Sequence, residues 1–187
     1  MPALHWIWAH RSSCLKLVGL ALLAAYFWQN PLYVEPIWIG AHLAIVVGIG
    51  TAFVVVIYPV LDRLFPGTKA DVEAPGARII DEAKRTPWRL AFLLPGEDGF
   101  FFVPLLWVGI TPITAGVVAA AFAVAHYPQF PARACLVKFV CIFCIAMVVL
   151  PHGLGSVVVG HFIADVAAVL VGAKLFVKTL AAERPDA

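Results

Sequence analysis

The stretch LAFLLPGEDGFFFVPLLWVGI, residues 90–110, decides how the rest of the chain is read. Apart from Glu97 and Asp98 it is apolar throughout. About 20 such residues, rising about 1.5 Å each, cross the hydrocarbon core of a bilayer. A charged side chain placed there costs roughly 3 kcal/mol on insertion scales, so an acidic pair in the middle of the run points to a functional site. Pro95-Gly96 stands just before the pair and Pro104 just after it. Proline removes a backbone donor and crowds the preceding turn, which predicts a kinked or interrupted helix near Glu97. In lipid such a break is tolerated where neighbouring protein or water satisfies the freed groups. Gly96, Gly99 and Gly116 are placed to let other helices approach closely.

Outward from this segment the chain has the same character. It is 63% hydrophobic and 13% charged, with mean hydropathy +0.95, against about 45–50% apolar and 25% charged in soluble domains. Apolar windows at Leu15–Trp28, Ile37–Val60, Leu90–Ile110, Ile113–His126, Ala134–Leu150 and Leu154–Val177 predict six spans. The expected fold is therefore an all-α membrane protein, a polytopic bundle of about six transmembrane helices with a kinked or interrupted third span. Residues 1–187 form one integral membrane domain, with its motif-bearing core at about 90–177. With the N-terminus cytoplasmic, all 13 Lys and Arg residues fall on one side, the pattern of the positive-inside rule. This puts both termini in the cytoplasm and the protein in the plasma or inner cell membrane. The six tryptophans fall at predicted interfaces. The first apolar run lacks a small-x-small cleavage site before Tyr26-Phe27-Trp28 and reads as an uncleaved anchor.

The segment Asp62–Trp88, rich in both charge signs, reads as a solvated cytoplasmic loop with a helical turn or two at Ala77–Lys84. A net charge of +2 gives no electrostatic footprint for nucleic acid. Cys141-x-x-Cys144 has redox spacing but lies among Val140, Ile142, Phe143 and Ile145, where cysteines act as small hydrophobes. Cys14 and Cys135 fall near the cytoplasmic side, where thiols stay reduced.

Two further ionisable patterns lie in apolar runs: Phe122-x-x-x-His126 and His161-x-x-x-Asp165. Residues four apart share a helix face. Glu97 and Asp98 are adjacent, so at most one of them faces a common pocket squarely. Helical rise places Glu97 roughly 12 Å from Arg89 and His126 roughly 20 Å from Ile113. These depths overlap, with His161 somewhat nearer the outer face. A carboxylate and an imidazole on neighbouring helices are able to hold a water and take its proton. A second His with a hydrogen-bonded Asp is able to stabilise an oxyanion. Such parts suffice for peptide hydrolysis.

The order of acidic pair, Phe-x-x-x-His and His-x-x-x-Asp on three separate spans resembles the CPBP family of intramembrane endopeptidases. That family, also called ABI, includes the CAAX prenyl endopeptidases and bacteriocin-processing or immunity proteins. The matching stretches are Gly96–Phe102, Phe122–His126 and His161–Asp165, within Leu90 to Val171. The resemblance implies a glutamate-type protease without cofactor or metal. Glu97 and His126 would activate water, His161 and Asp165 would form the oxyanion site, and Asp98 and Phe122 would support them. The implied substrate is a membrane-inserted or lipid-modified protein or peptide entering laterally from the bilayer, with C-terminal processing or protein sorting as one version. The family's first motif reads Glu-Glu-x-x-x-Arg; here Asp98 takes the second place and Phe102 stands where the Arg belongs. Arg78 and Arg89 are not in register to replace it.

Other readings stay open on the same residues. The acidic pair suits the N-terminus of a restarted helix, His126 suits an interface, and His161 with Asp165 suits a structural hydrogen bond. A non-catalytic membrane binder or immunity protein on the same scaffold is one alternative function, favoured by the missing Arg. A haem or metal protein using His126 with His161 or His152 is another. His152, between Pro151 and Gly153, is expected at the outer surface, and His5, His10 and His42 have no evident partner. Oligomeric state is not legible in the sequence.

Overall fold

The computed structural model describes residues 11–57, 59, 60, 63, 87–126 and 132–167, and every regular element among them is helical. We label the helices α1 (Arg11–Gln29), α2 (Pro36–Ala52), α3 (Pro87–Val108), α4 (Pro112–His126), α5 (Ala132–Val148) and α6 (Leu154–Ala167). A π-helical stretch, Phe53–Ile57, prolongs α2. Two of these helical stretches, Pro36–Ile57 and Cys135–His152, are long and apolar enough to cross a membrane by length and composition. Of the predicted loop over 62–88, Arg63 is described as helical and Pro87 and Trp88 already belong to α3; the rest of that loop, the last predicted span beyond Ala167, and both termini lie outside the described residues.

Local sequence sets the ends. Pro36 occupies the first turn of α2, where its missing N–H is no loss. Thr111 and Thr114 bracket the start of α4 reciprocally: the Thr114 amide donates to Thr111 Oγ1 at 3.1 Å and the Thr111 amide to Thr114 Oγ1 at 2.9 Å. This is the exchange of a capping box, with Pro112 at the first helical position. Gly109, at φ +91°, makes the reversal between α3 and α4.

Side-chain pairings give the topology. Leu23 and Gly19 of α1 meet Gly99, while Lys16 meets Gly96, so α1 and α3 run parallel. Trp38 stacks on His152 and His42 lies against Gly160, so α2 and α6 also run parallel. The pairings of Phe101 with Phe122 and of Glu97 with His126 make α3 and α4 antiparallel. α1 and α3 therefore point one way and α4 the other, while α2 and α6 share a direction. Trp28 ends α1, Trp38 opens α2 and Trp107 nears the end of α3, so these three lie at one end of the bundle.

The core is drawn from five helices, with Phe102, Leu105, Ala119, Ile145, Leu150 and Val157 fully or almost fully enclosed. Phe102, at the position of the expected Arg, is 0% exposed and is a core residue. Large apolar side chains also cover the outside: Ile37, Val47, Val55, Ile113, Val117 and Val124 are all exposed.

Two expectations are corrected. The helix through the acidic pair is not interrupted: α3 runs unbroken from Pro87 to Val108 with Pro95 and Pro104 inside it. Each proline forfeits one i→i−4 bond, and the packing of α1 against Gly96 and Gly99 holds the remaining ladder in place. Gly116 also serves no close approach, since a Cβ there would meet nothing within 4 Å.

Candidate active site

The acidic pair sits where α1 and α3 touch backbone to backbone. A Cβ on Gly19 would collide with the Gly96 carbonyl, and one on Gly99 with the Gly19 carbonyl. This contact brings Lys16 of α1 alongside Glu97, with Lys16 Nζ 3.4 Å from Glu97 Oε2. The other carboxylate oxygen, Oε1, lies 2.8 Å from His126 Nε2 on α4. Glu97 is 7% exposed, so both of its oxygens are held by partners from other helices.

The tautomer of His126 follows from its second contact. Its Nδ1 lies 2.8 Å from the carbonyl oxygen of Phe122, which accepts only, so Nδ1 carries a proton and donates. Nε2 then faces Glu97 with one proton to share between carboxylate and imidazole. The two groups touch directly rather than across a water. The Glu97 carboxylate, with about four acceptor sites, keeps lone pairs beyond these two contacts.

Asp98 points to a different imidazole. Its Oδ1 is 2.7 Å from His161 Nδ1 on α6, and the residue is 1% exposed. The two acids point in different directions, as adjacent residues on a helix diverge by about 100°, and each meets its own imidazole. The expected partner of His161, Asp165, is more distant: its Oδ2 stands 3.5 Å from His161 Nε2, with a side chain 37% exposed. Asp98 is the close partner of His161, and Asp165 a looser one.

Phe122 separates the two acid–imidazole pairs. Its ring stacks on His126 at 4.4 Å between centroids and lies 6.5 Å from that of His161. Lys138 Nζ stands 5.8 Å from the same ring, within reach of a cation–π contact. All six residues singled out in the sequence, Glu97, Asp98, Phe122, His126, His161 and Asp165, thus converge, from three helices.

Two residues of this neighbourhood were not identified from sequence. Lys16 brings a positive charge to Glu97 from another helix; the pattern Lys16-x-x-Gly19 facing Gly96-Glu97-x-Gly99 was its signal. His42, on α2, is 1% exposed with its ring 6.0 Å from that of His161. An imidazole in an otherwise apolar helix was the hint. His152, by contrast, is exposed and stacks on Trp38 at 3.5 Å, near the turn between α1 and α2. The described cysteines carry no disulfide.

The close, buried partner should matter more than the loose one. Asp98→Ala is expected to lower folding stability by about 3 kcal/mol, because it strands His161 without its buried counter-charge. Asp165→Ala should cost less than about 1 kcal/mol, as for an exposed pair. Reversible unfolding of both variants in the same micelle or bilayer checks the order; equal losses would show that the two contacts are equivalent.

Searches of the chain against family models, characterised proteins and solved structures gave no match in any of the three.

Proposed function

We propose that the chain is an intramembrane endopeptidase of the glutamate type, similar in plan to the CPBP family, acting on a membrane-inserted or lipid-modified peptide. The observation that carries this reading is the 2.8 Å contact of Glu97 Oε1 with His126 Nε2, made by residues of two different helices in a setting of low exposure. The apolar exterior, with Val117, Val124 and Ile113 facing outward, supports placing the bundle in a bilayer with six spans.

In this mechanism a water bound on the Glu97 carboxylate gives a proton to the Glu97–His126 pair while its oxygen attacks the peptide carbonyl carbon. The carbonyl π electrons move onto oxygen. His161, oriented through Nδ1 by Asp98, offers the N–H of Nε2 to that oxygen, since its contact with Asp165 is long enough to yield. When the carbonyl re-forms, the C–N bond breaks and the leaving nitrogen takes the proton from the pair. The products are a new carboxyl terminus and a new amine.

Lys16 acts through Glu97 and is a positioning residue. Lys16→Met should lower kcat by about 10- to 100-fold, because a carboxylate freed on one side loses the attack geometry. KM should stay unchanged and Lys16→Arg should restore most of the rate. A loss that Arg does not repair would show that Lys16 serves only packing.

The reading is tested by reconstituting the purified protein in lipid vesicles with membrane-anchored, lipidated and soluble peptides, and following products by mass spectrometry. Cleavage confined to the membrane-bound peptides is expected. Absence of cleavage from a folded protein, with Glu97→Gln leaving the cellular phenotype intact, would favour a non-catalytic binder on this scaffold.

A further inference from the structure

His42 is the least explained polar group in the described structure. Its ring is enclosed, at 1% exposure, yet neither Nδ1 nor Nε2 has a hydrogen-bond partner. A buried polar group left unpaired costs about 1–3 kcal/mol, and such groups are rare in folded proteins. The third buried side-chain atom without a partner among the described residues is Oδ2 of Asp98, the residue that holds His161. Two of the three unmet hydrogen-bonding groups therefore come from His42, whose ring is 6.0 Å from that of His161, and the third comes from the carboxylate behind His161.

The placement of His42 depends on a specific neighbour. Gly160 precedes His161 on α6, and a Cβ there would come within 2.7 Å of His42 Cγ and 2.8 Å of its Cβ. Only a glycine leaves room for the imidazole to enter beside His161. The two rings are stacked, with 29° between their planes. Their ring centres are 6.0 Å apart, which makes the two imidazoles near neighbours where α2 meets α6.

We propose that His42 is a further catalytic residue, a second imidazole N–H donor that, with His161, binds the oxygen of the substrate's scissile peptide carbonyl. The inference rests on the peptidase reading given above and extends it to a residue outside the three motifs. A neutral imidazole carries one N–H and one bare nitrogen. The N–H goes to the carbonyl oxygen as negative charge develops on it, and the proton stays on His42 throughout. Before substrate binds, the donor has no partner, and the fold bears that cost. The unmet hydrogen bond of the resting site is thus made in the transition state.

This makes stability and activity move in different directions. Leucine is apolar and has no buried hydrogen-bonding atom to satisfy, so His42→Leu is expected to melt at the same temperature as the wild type or higher. Its kcat on a membrane-anchored peptide in vesicles is expected to fall by about 100- to 1,000-fold, the usual loss for one oxyanion donor. KM should change by less than about threefold, because the lost contact belongs to the transition state. His42→Gln, which keeps an N–H donor, should recover at least about tenfold of that loss. Wild-type cleavage that requires Glu97 but survives His42→Leu would overturn the inference and leave the peptidase reading standing. So would a rate loss accompanied by a lower melting temperature, which would make His42 a structural residue. No cleavage by the wild type, or cleavage that persists in Glu97→Gln, would defeat the peptidase reading, and this inference with it.

Discussion

Replacing Gly99 by valine is expected to prevent assembly of the bundle and to abolish any activity with it. A Cβ at this position would overlap the Gly19 carbonyl oxygen and would lie 2.6 Å from Leu23 Cγ. The obstacle is backbone, so no rotamer change relieves it, and α1 and α3 have to separate. Overpacking a tight site costs about 1–3 kcal/mol and more where nothing yields. Here nothing yields on either side, because Gly19 and Gly96 meet the facing chain just as closely. Close approach of small residues is what holds helices together in lipid, by dispersion and weak Cα–H···O contacts. Separation also takes Lys16 away from Glu97, so structure and chemistry fail together. Gly116→Val is the control: with nothing within 4 Å of its Cβ, it should leave folded yield unchanged. Size-exclusion profiles and melting curves of the two variants provide the measurement. A folded, monodisperse Gly99→Val protein would contradict the α1–α3 contact described here.

The second large effect concerns the pair that shares a proton. On the peptidase reading proposed above, Glu97→Gln is expected to lower kcat by about 10,000-fold, the upper range for loss of a general base. Glutamine keeps the shape and the contacts but has no basic oxygen to take a proton from water. His126→Ala should cost a comparable factor. The double variant should be no slower than about threefold below either single one, because groups that act as a unit are not additive. Additive losses would mean that Glu97 and His126 work independently, despite their 2.8 Å contact. Circular dichroism and melting temperature establish that each variant remains folded.

Much of this architecture was legible in the amino-acid order. Hydropathy windows placed the six helices, and the described ends of α1, α3 and α4 fall within a few residues of the windows. The reason is that continuous apolar sequence is a local signal, readable without knowing which helices pack together. The residues that meet in space were also singled out, because an acid or imidazole in an apolar run is costly enough to stand out. What the sequence withheld is rotation and pairing. Hydropathy places a residue along a helix axis and is silent on which neighbour it faces. Asp165 was therefore taken as the partner of His161 by i,i+4 spacing, whereas Asp98, 63 positions earlier in the chain, makes the 2.7 Å contact. Lys16 entered only as a charge that orients the first helix. Its role at Glu97 depends on Gly19 and Gly96 matching across two helices, a coincidence no single segment contains. The interruption expected at Pro95 is absent for a related reason: α1 packs closely on α3 beside it, and the helix continues through both prolines.

A single-turnover experiment in water enriched with oxygen-18 addresses the chemistry at its source. Vesicle-reconstituted protein would be mixed in excess with a membrane-anchored peptide, with hydroxylamine present to intercept any acyl-enzyme. Direct attack by water held at Glu97 and His126 gives a product whose new carboxyl terminus carries one heavy oxygen and no hydroxamate, formed about 10,000-fold more slowly by Glu97→Gln. A hydroxamate product, or a labelled product appearing as fast with Glu97→Gln as with the wild type, would show that these side chains do not activate the water.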